Sequence, residues 1–161
     1  WILENIKEGD VVVISNRHKI NSKDKNNWLT NKSSIKAINK FNRFVMSQGG
    51  KLILFAPTPE YNISIYQCLP NWFKSTNNKC SKTIEQLKQE RSNLYNLINN
   101  YLDKKILVYN PLNDICFEGI CSMTDKHLKP LYFDDDHLSD YANSEYLFPG
   151  FLSFLEKKEL L

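Results

Sequence analysis

Apolar positions along the chain switch between two periods. Val11 to Ser15 is a continuous, β-branched apolar run, which predicts a strand buried on both faces. From Ser33 to Gln48, Ile35, Ile38, Phe41 and Val45 recur at helical spacing, and Gly49-Gly50 supplies a helix end. Lys51 to Ala56 is the next predicted strand, closed by Pro57 and Pro59, which cannot donate to a ladder. Thr83 with Gln86 has the form of a capping box, and Ile84, Leu87, Leu94, Leu97, Ile98 and Tyr101 extend it into one long amphipathic helix reaching Leu102. Ile106 to Tyr109 and the short Leu131 to Phe133 predict two further strands. After His137 the pattern enters a last helix, interrupted at Pro149-Gly150 and resumed from Phe151 to Leu161. Strands separated by helices imply parallel βαβ units and an α/β sheet covered on both faces. In such sheets ligands sit beyond the carboxyl ends of the strands, so the loops after Ser15, Ala56, Tyr109 and Phe133 are where chemistry is expected.

The length of 161 residues suits a single domain with a sizeable core, and 42% hydrophobic against 24% charged residues is the balance of a folded protein. The formal charge of +3 resides mostly in one Lys- and Asn-rich stretch, Arg17 to Lys32, instead of a basic face, which argues against nucleic acid as a partner. No apolar run has the length of a membrane span, and no signal-peptide pattern is present. Because the first residue is Trp1, we expect a chain processed or cut from a longer one, with any targeting segment upstream.

Four cysteines form two local pairs, and disulfides Cys68 with Cys80 and Cys116 with Cys121 are the preferred connectivity of the three possible. Free thiols and a four-thiolate zinc site are the alternatives, the zinc reading being poorly served by the long Cys68–Cys80 separation. Disulfides would place the chain outside the cytosol.

The densest chemistry lies in Asp134-Asp135-Asp136-His137-Leu138-Ser139. An Asp three residues before a His, across a strand-to-helix turn, can reach back to the imidazole Nδ1. That leaves Nε2 free to take a proton from a serine hydroxyl. The plain alternative is a solvated acidic loop with Ser139 as a helix N-cap. A calcium loop would need alternating oxygen ligands and a Gly, so no metal is assigned.

Tyr132-Phe133-Asp134-Asp135-Asp136-His137-Leu138-Ser139 resembles the Asp-x-x-His block of SGNH hydrolases, and its Asp-His-Leu-Ser ending is similar to the SGNH domains fused to membrane acyltransferase-3 proteins. Pro57-Thr58-Pro59 followed by Cys68-Leu69, a second cysteine soon after, and the close pair Cys116 and Cys121 agree with that subgroup, so the similarity runs from about residue 9 to the end. The resemblance implies a three-layer, flavodoxin-like α/β fold with a parallel sheet, His137 as general base and Asp134 as its orienting acid. Asp135 and Asp136 match no catalytic position. Gly9-Asp10-Val11-Val12-Val13-Ile14-Ser15-Asn16-Arg17 is similar to the strand and loop of the third SGNH block, without its Gly-x-Asn-Asp. Asn16 or Arg17 would then face the oxyanion or acyl donor, or simply open a solvated basic loop. His18 and His127 read as surface residues, and Trp28 and Trp72 as loop aromatics able to stack on a sugar or to anchor a loop.

No Gly-Asp-Ser occurs in the sequence, so the first strand and the nucleophile block are expected upstream of a partial domain spanning residues 1–161. Ser15 is a poor substitute, because nucleophilic serines sit on sharp turns with neighbouring donors. The resemblance implies O-acyl transfer, acetyl above all, to a cell-envelope carbohydrate by an extracytoplasmic domain. A membrane acyltransferase-3 module in the same polypeptide would use an acyl donor such as acetyl-CoA, and this chain would hold no cofactor of its own. An esterase of the same fold and a non-catalytic glycan-binding domain are the alternatives. A flavodoxin-like cofactor binder would need a phosphate-cradling loop, which the 5 glycines do not form.

Overall fold

The structure, a computed structural model, describes residues 2–15, 32–70 and 78–161. Asn16, Arg17, His18, Trp28 and Trp72 lie outside the described residues. Among those described, the strands are β1 Val11–Ile14, β2 Lys51–Phe55, β3 Ser81–Thr83, β4 Leu107–Tyr109, β5 Cys116–Phe117 and β6 Ile120–Ser122. The α-helices are α1 Ile2–Asn5, α2 Lys32–Ser47, α3 Ile84–Glu90, α4 Ser92–Tyr101, α5 Leu112–Ile115, α6 Asp140–Ala142 and α7 Phe148–Lys157. The chain divides into two compact units, one of Trp1–Pro57, Arg91–Asn110 and Glu156–Leu161, the other of Thr58–Glu90 and Pro111–Leu155.

The first unit holds a parallel sheet of three strands in the order β1-β2-β4, in register Val12 to Leu52 and Leu54 to Val108. The central strand is buried at Leu52, Ile53 and Leu54 alike, as its uninterrupted apolar run requires. Leu52 and Leu54 join Ile35, Ile38 and Val45 of α2 and Leu94, Leu97 and Ile98 of α4 in one core, with Val12 and Ile14 packed against it. Helix α2 stops where the glycine pair predicts. The Gly50 N–H reaches the Val45 carbonyl and the Gly49 N–H that of Met46, which closes the last turn with Gly49 at φ +79°. A Cβ on Gly49 would also come within 3.0 Å of the Glu8 backbone. The single helix predicted from Thr83 to Leu102 is two helices. Arg91 leaves helical geometry (φ −113°, ψ 20°), is buried, and donates from Nη1 to the Pro57 carbonyl at 2.9 Å. Apolar periodicity cannot register a break one residue long.

The second unit contains an antiparallel sheet, β3-β6-β5, that the sequence reading does not anticipate, its strands being too short to show a period. Glu118 and Gly119, both at positive φ (51° and 81°), form the two-residue turn between β5 and β6 that suits strand twist. Cys116 and Cys121 face each other across that hairpin and are bonded, and Cys68 is bonded to Cys80, the local pairing favoured by spacing. The capping box forms reciprocally, Thr83 N–H to Gln86 Oε1 at 2.8 Å and Gln86 N–H to Thr83 Oγ at 3.1 Å. Two cores fill the unit, one around Tyr61, Met123, Leu131 and Tyr132, the other around Leu87, Leu112, Ile115 and Cys121.

Two expectations are corrected here. Leu131 to Phe133 is not a strand of the parallel sheet. Tyr132 makes one isolated antiparallel bridge, with Leu138 of the chain folding back on it, and Pro130 just before the segment makes another with Thr124. The last helix is not interrupted at Pro149-Gly150 either. Both lie in the first turn of α7, preceded by a π-helical turn at Asn143–Leu147. Proline lacks an N–H and presses on the carbonyl four residues earlier, and the wider turn relieves that clash. Gly150 is a packing requirement, since a Cβ there would meet the Asp114 carboxyl at 2.2 Å.

With such short elements, the second unit depends on its cross-links. In the chain-entropy view, removing Cys68–Cys80 destabilises by about 3 kcal/mol and removing Cys116–Cys121 by about 2 kcal/mol. Urea unfolding of paired Cys→Ala variants of each bridge is expected to return that order.

Candidate active site

The loop from Phe133 to His137 is built from its base upward. Leu131 and Tyr132 are buried, Leu138 is partly buried, and the Phe133 N–H donates to the His137 carbonyl at 2.8 Å, closing a tight return of the chain. Ser139 follows as an N-cap in extended conformation. Its Oγ accepts from Ala142 N–H at 3.1 Å and donates to the Pro130 carbonyl at 2.8 Å. Tyr61 holds the outer side of the loop. Its N–H donates to the Asp135 carbonyl at 2.8 Å, and its hydroxyl donates to the Cys121 carbonyl at 2.9 Å. The Tyr61 ring meets Tyr132 edge to face at 5.1 Å.

Within this frame Asp134 and His137 meet. Asp134 Oδ1 accepts from the backbone N–H groups of Asp136 (2.9 Å) and His137 (2.7 Å), while Oδ2 lies 2.8 Å from His137 Nδ1. One carboxylate therefore folds the turn and orients the ring. Nδ1 carries the proton in that arrangement, and Nε2 keeps a lone pair for proton abstraction. The imidazole is 67% exposed.

Asp136 also contributes, which the sequence reading does not foresee. Its Oδ1 stands 3.1 Å from His137 Nδ1, and its side chain is only 5% exposed. Nothing in composition or spacing distinguishes it from Asp135. The separation arises because the Asp136 N–H is captured by Asp134, which turns its carboxylate back toward the ring. Two carboxylates at one nitrogen favour the imidazolium that forms when Nε2 takes a proton. Asp134, Asp136 and His137 could each offer a ligand atom to a metal within 4.8 Å of one another. Of those atoms, His137 Nδ1 is already hydrogen-bonded to Asp134 Oδ2 at 2.8 Å. His127 is exposed, with its N–H bound to Asp125 Oδ1 at 2.8 Å, and takes no part in this constellation.

A parallel α/β sheet and an Asp-x-x-His loop that orients an imidazole are the features expected of an SGNH-type domain. The chain belongs to the family described as SGNH domain (fused to AT3 domains), which matches residues 1–151. Among solved structures it is similar to the lipopolysaccharide acetyltransferase periplasmic domain of Salmonella ser. Paratyphi A, with 17% identity and a TM-score of 0.58. The likeness covers 94% of this chain and 56% of that one. No curated protein matches. Among the described residues no helix is long and apolar enough to cross a membrane.

Partial burial raises the Asp134 pKa, but the hydrogen bonds from Asp136 N–H, His137 N–H and the His137 ring outweigh it and hold the carboxyl far below its ordinary range. A carboxyl depressed in the folded state contributes stability that is present above its unfolded value of about 3.9 and is lost as pH falls toward the folded value. The stability difference between wild type and Asp134→Asn, followed by urea unfolding, is therefore expected to be constant above pH 5 and to shrink steadily toward pH 2. A difference independent of pH would contradict the charge-based account.

Proposed function

We propose that the protein transfers an acyl group, acetyl above all, to a hydroxyl of a cell-envelope carbohydrate through an acyl-serine intermediate, with His137 as general base and Asp134 and Asp136 as its orienting acids. The observation that carries this reading is the 2.8 Å contact between Asp134 Oδ2 and His137 Nδ1, which leaves Nε2 as the acceptor. Family membership supports the acyl-transfer class, and the likeness to the Salmonella lipopolysaccharide acetyltransferase periplasmic domain supports the acetyl group and an extracytoplasmic setting.

The nucleophile is a serine of a Gly-Asp-Ser block that this chain does not contain, supplied by a preceding segment of the same polypeptide. As its Oγ attacks the acyl carbonyl, His137 Nε2 takes the hydroxyl proton, and the two carboxylates stabilise the imidazolium. Collapse of the tetrahedral adduct returns that proton to the leaving group and leaves the acyl-serine. His137 then takes a proton from the sugar hydroxyl as it attacks, and returns it to the serine Oγ as the ester is released. A membrane acyltransferase-3 module delivers the acyl group from a donor such as acetyl-CoA. Asn16 and Arg17, which lie outside the described residues, are carried into this proposal by the family resemblance alone, facing the oxyanion or the acyl donor. The open exposure of His137 also admits water as acceptor, which gives an esterase by the same steps.

In the full-length protein, His137→Ala is expected to lower acyl transfer to envelope polysaccharide by roughly 10³-fold or more, and Asp134→Asn by a similar factor through loss of the correct tautomer. Asp136→Asn is expected to cost roughly tenfold, because a neutral amide still packs the loop but no longer stabilises the imidazolium. O-acetyl content measured by NMR of the purified polysaccharide reads all three. Unchanged acetylation in His137→Ala would overturn the catalytic reading and leave a glycan-binding role.

A further inference from the structure

The second unit carries an open cleft of about 790 Å³ lined by Phe117, Glu118, Ser122, Asp125, Lys126 and Tyr146 among others, and the acyl-transfer steps above make no use of it. Phe117 is 46% exposed although it is a large apolar side chain, and Ile120, its partner in the hairpin, is 49% exposed. The Phe117 ring is held on one side by an edge-to-face contact with Tyr146 at 5.2 Å. Its backbone is fixed by the tight turn at Glu118-Gly119 and by the Cys116–Cys121 bridge one residue away. An aromatic surface fixed in this way binds at little cost in ordering.

The polar wall of the cleft is also preset. Asp125 is 5% exposed. Its Oδ1 accepts from the N–H groups of His127 and Lys129, both at 2.8 Å, and its Oδ2 accepts from the Tyr141 hydroxyl at 2.8 Å. The Tyr141 oxygen lies 3.4 Å from the Tyr146 hydroxyl, and because Tyr141 donates to Asp125, Tyr146 is the donor in that pair. Burial raises the Asp125 carboxyl, yet the Tyr141, Lys129 and His127 hydrogen bonds lower it further, so it stays ionised in the cleft wall. The chain Tyr146 to Tyr141 to Asp125 leaves the lone pairs of the Tyr146 oxygen as acceptors at the cleft. Ser122 and Thr124 add hydroxyls from the strand side.

We infer that this cleft is a glycan subsite, in which one sugar ring lays its C–H face on Phe117 and bonds its hydroxyls to Tyr146 and Ser122, with the buried Asp125 carboxylate holding the tyrosine chain in place. An exposed aromatic ring, convergent oxygen acceptors and hydroxyls, and a mixed apolar and polar lining are the features such a ring requires. Charge narrows the class. Among the lining residues Glu118 and Asp125 outnumber Lys126, so a neutral or amino sugar is favoured over a uronic acid or a phosphorylated sugar. The subsite deepens the proposed function, and rests on it in so far as the acceptor is a carbohydrate, by holding that acceptor through a residue away from the reacting hydroxyl.

The test is isothermal titration of the full-length protein with envelope polysaccharide of the source cell from which O-acyl groups have been removed by mild alkali. Phe117→Ala is expected to weaken binding about tenfold, and Phe117→Trp to bind within about threefold of wild type, both variants keeping the thermal midpoint of the parent. Wild-type affinity in Phe117→Ala, or no binding by the wild-type protein, overturns the inference. Because titration needs no turnover, the two readings fail separately. A protein that binds through Phe117 yet acylates nothing defeats only the acyl-transfer proposal. One that acylates polysaccharide with wild-type affinity in Phe117→Ala defeats only the subsite.

Discussion

The Asp134 carboxylate is the interaction on which the rest of the site depends, because its two oxygens do different work. Oδ1 gathers two backbone N–H groups and so determines the path of the loop, and Oδ2 receives the imidazole and so determines the orientation of the ring. A loop of this kind lacks a regular ladder and must satisfy its backbone groups locally or leave them to water. Placing the imidazole on a turn whose path depends on its carboxylate partner couples the two. The ring cannot lose its partner without the turn losing its organiser. The same coupling brings Asp136 to Nδ1 from a position where the sequence shows only a third acid in a row.

That loop is held by the scaffold around it, and the path can be followed residue by residue. The Cys116–Cys121 bridge locks the hairpin, the Cys121 carbonyl receives the Tyr61 hydroxyl, and the Tyr61 N–H grips the Asp135 carbonyl. On the other side Leu131 and Tyr132 sink into the core while Ser139 ties the loop exit back to Pro130. Strands of two or three residues provide little cooperative ladder energy. Cross-links and side-chain-to-backbone bonds take over the positioning that longer strands would otherwise provide.

Long periodic elements were legible in the sequence, and short or locally paired ones were not. β1, β2, β4 and α2 lie within a residue or so of their expected bounds, because their apolar patterns are long enough to be read, although β1, expected to be buried on both faces, is only partly buried and exposes Val13. The antiparallel sheet was hidden because a strand such as Cys116–Phe117 has no period at all. The break at Arg91 and the π turn before Pro149 were misread for a related reason. Each is governed by one contact or one clash, a guanidinium on the Pro57 carbonyl and a proline ring on the preceding turn, and hydrophobic pattern carries neither. In the site, spacing made a contact between Asp134 and His137 possible, and the resemblance to an Asp-x-x-His block, not the spacing, selected it over a solvated acidic loop. Asp136, by contrast, depends on a backbone hydrogen bond that only the folded turn reveals.

The exposure of His137 bears on the choice between acyl acceptors. An imidazole open to solvent activates water as readily as a sugar hydroxyl, so nothing in the Asp134–His137 pair itself favours transfer over hydrolysis. A bound acceptor can win that competition through proximity, since a hydroxyl held in attacking geometry reacts as if present at roughly 10⁵ M or more. For an acyl-serine mechanism, the residues that decide the product are therefore those that hold the glycan, not those that move the proton. A preset aromatic and acidic cleft around Phe117 and Asp125 has the chemistry for that role. Under the proposed mechanism the Asp134–His137 pair can stay the same in a transferase and an esterase, while the proposed glycan-holding surface sets which of the two reactions is observed.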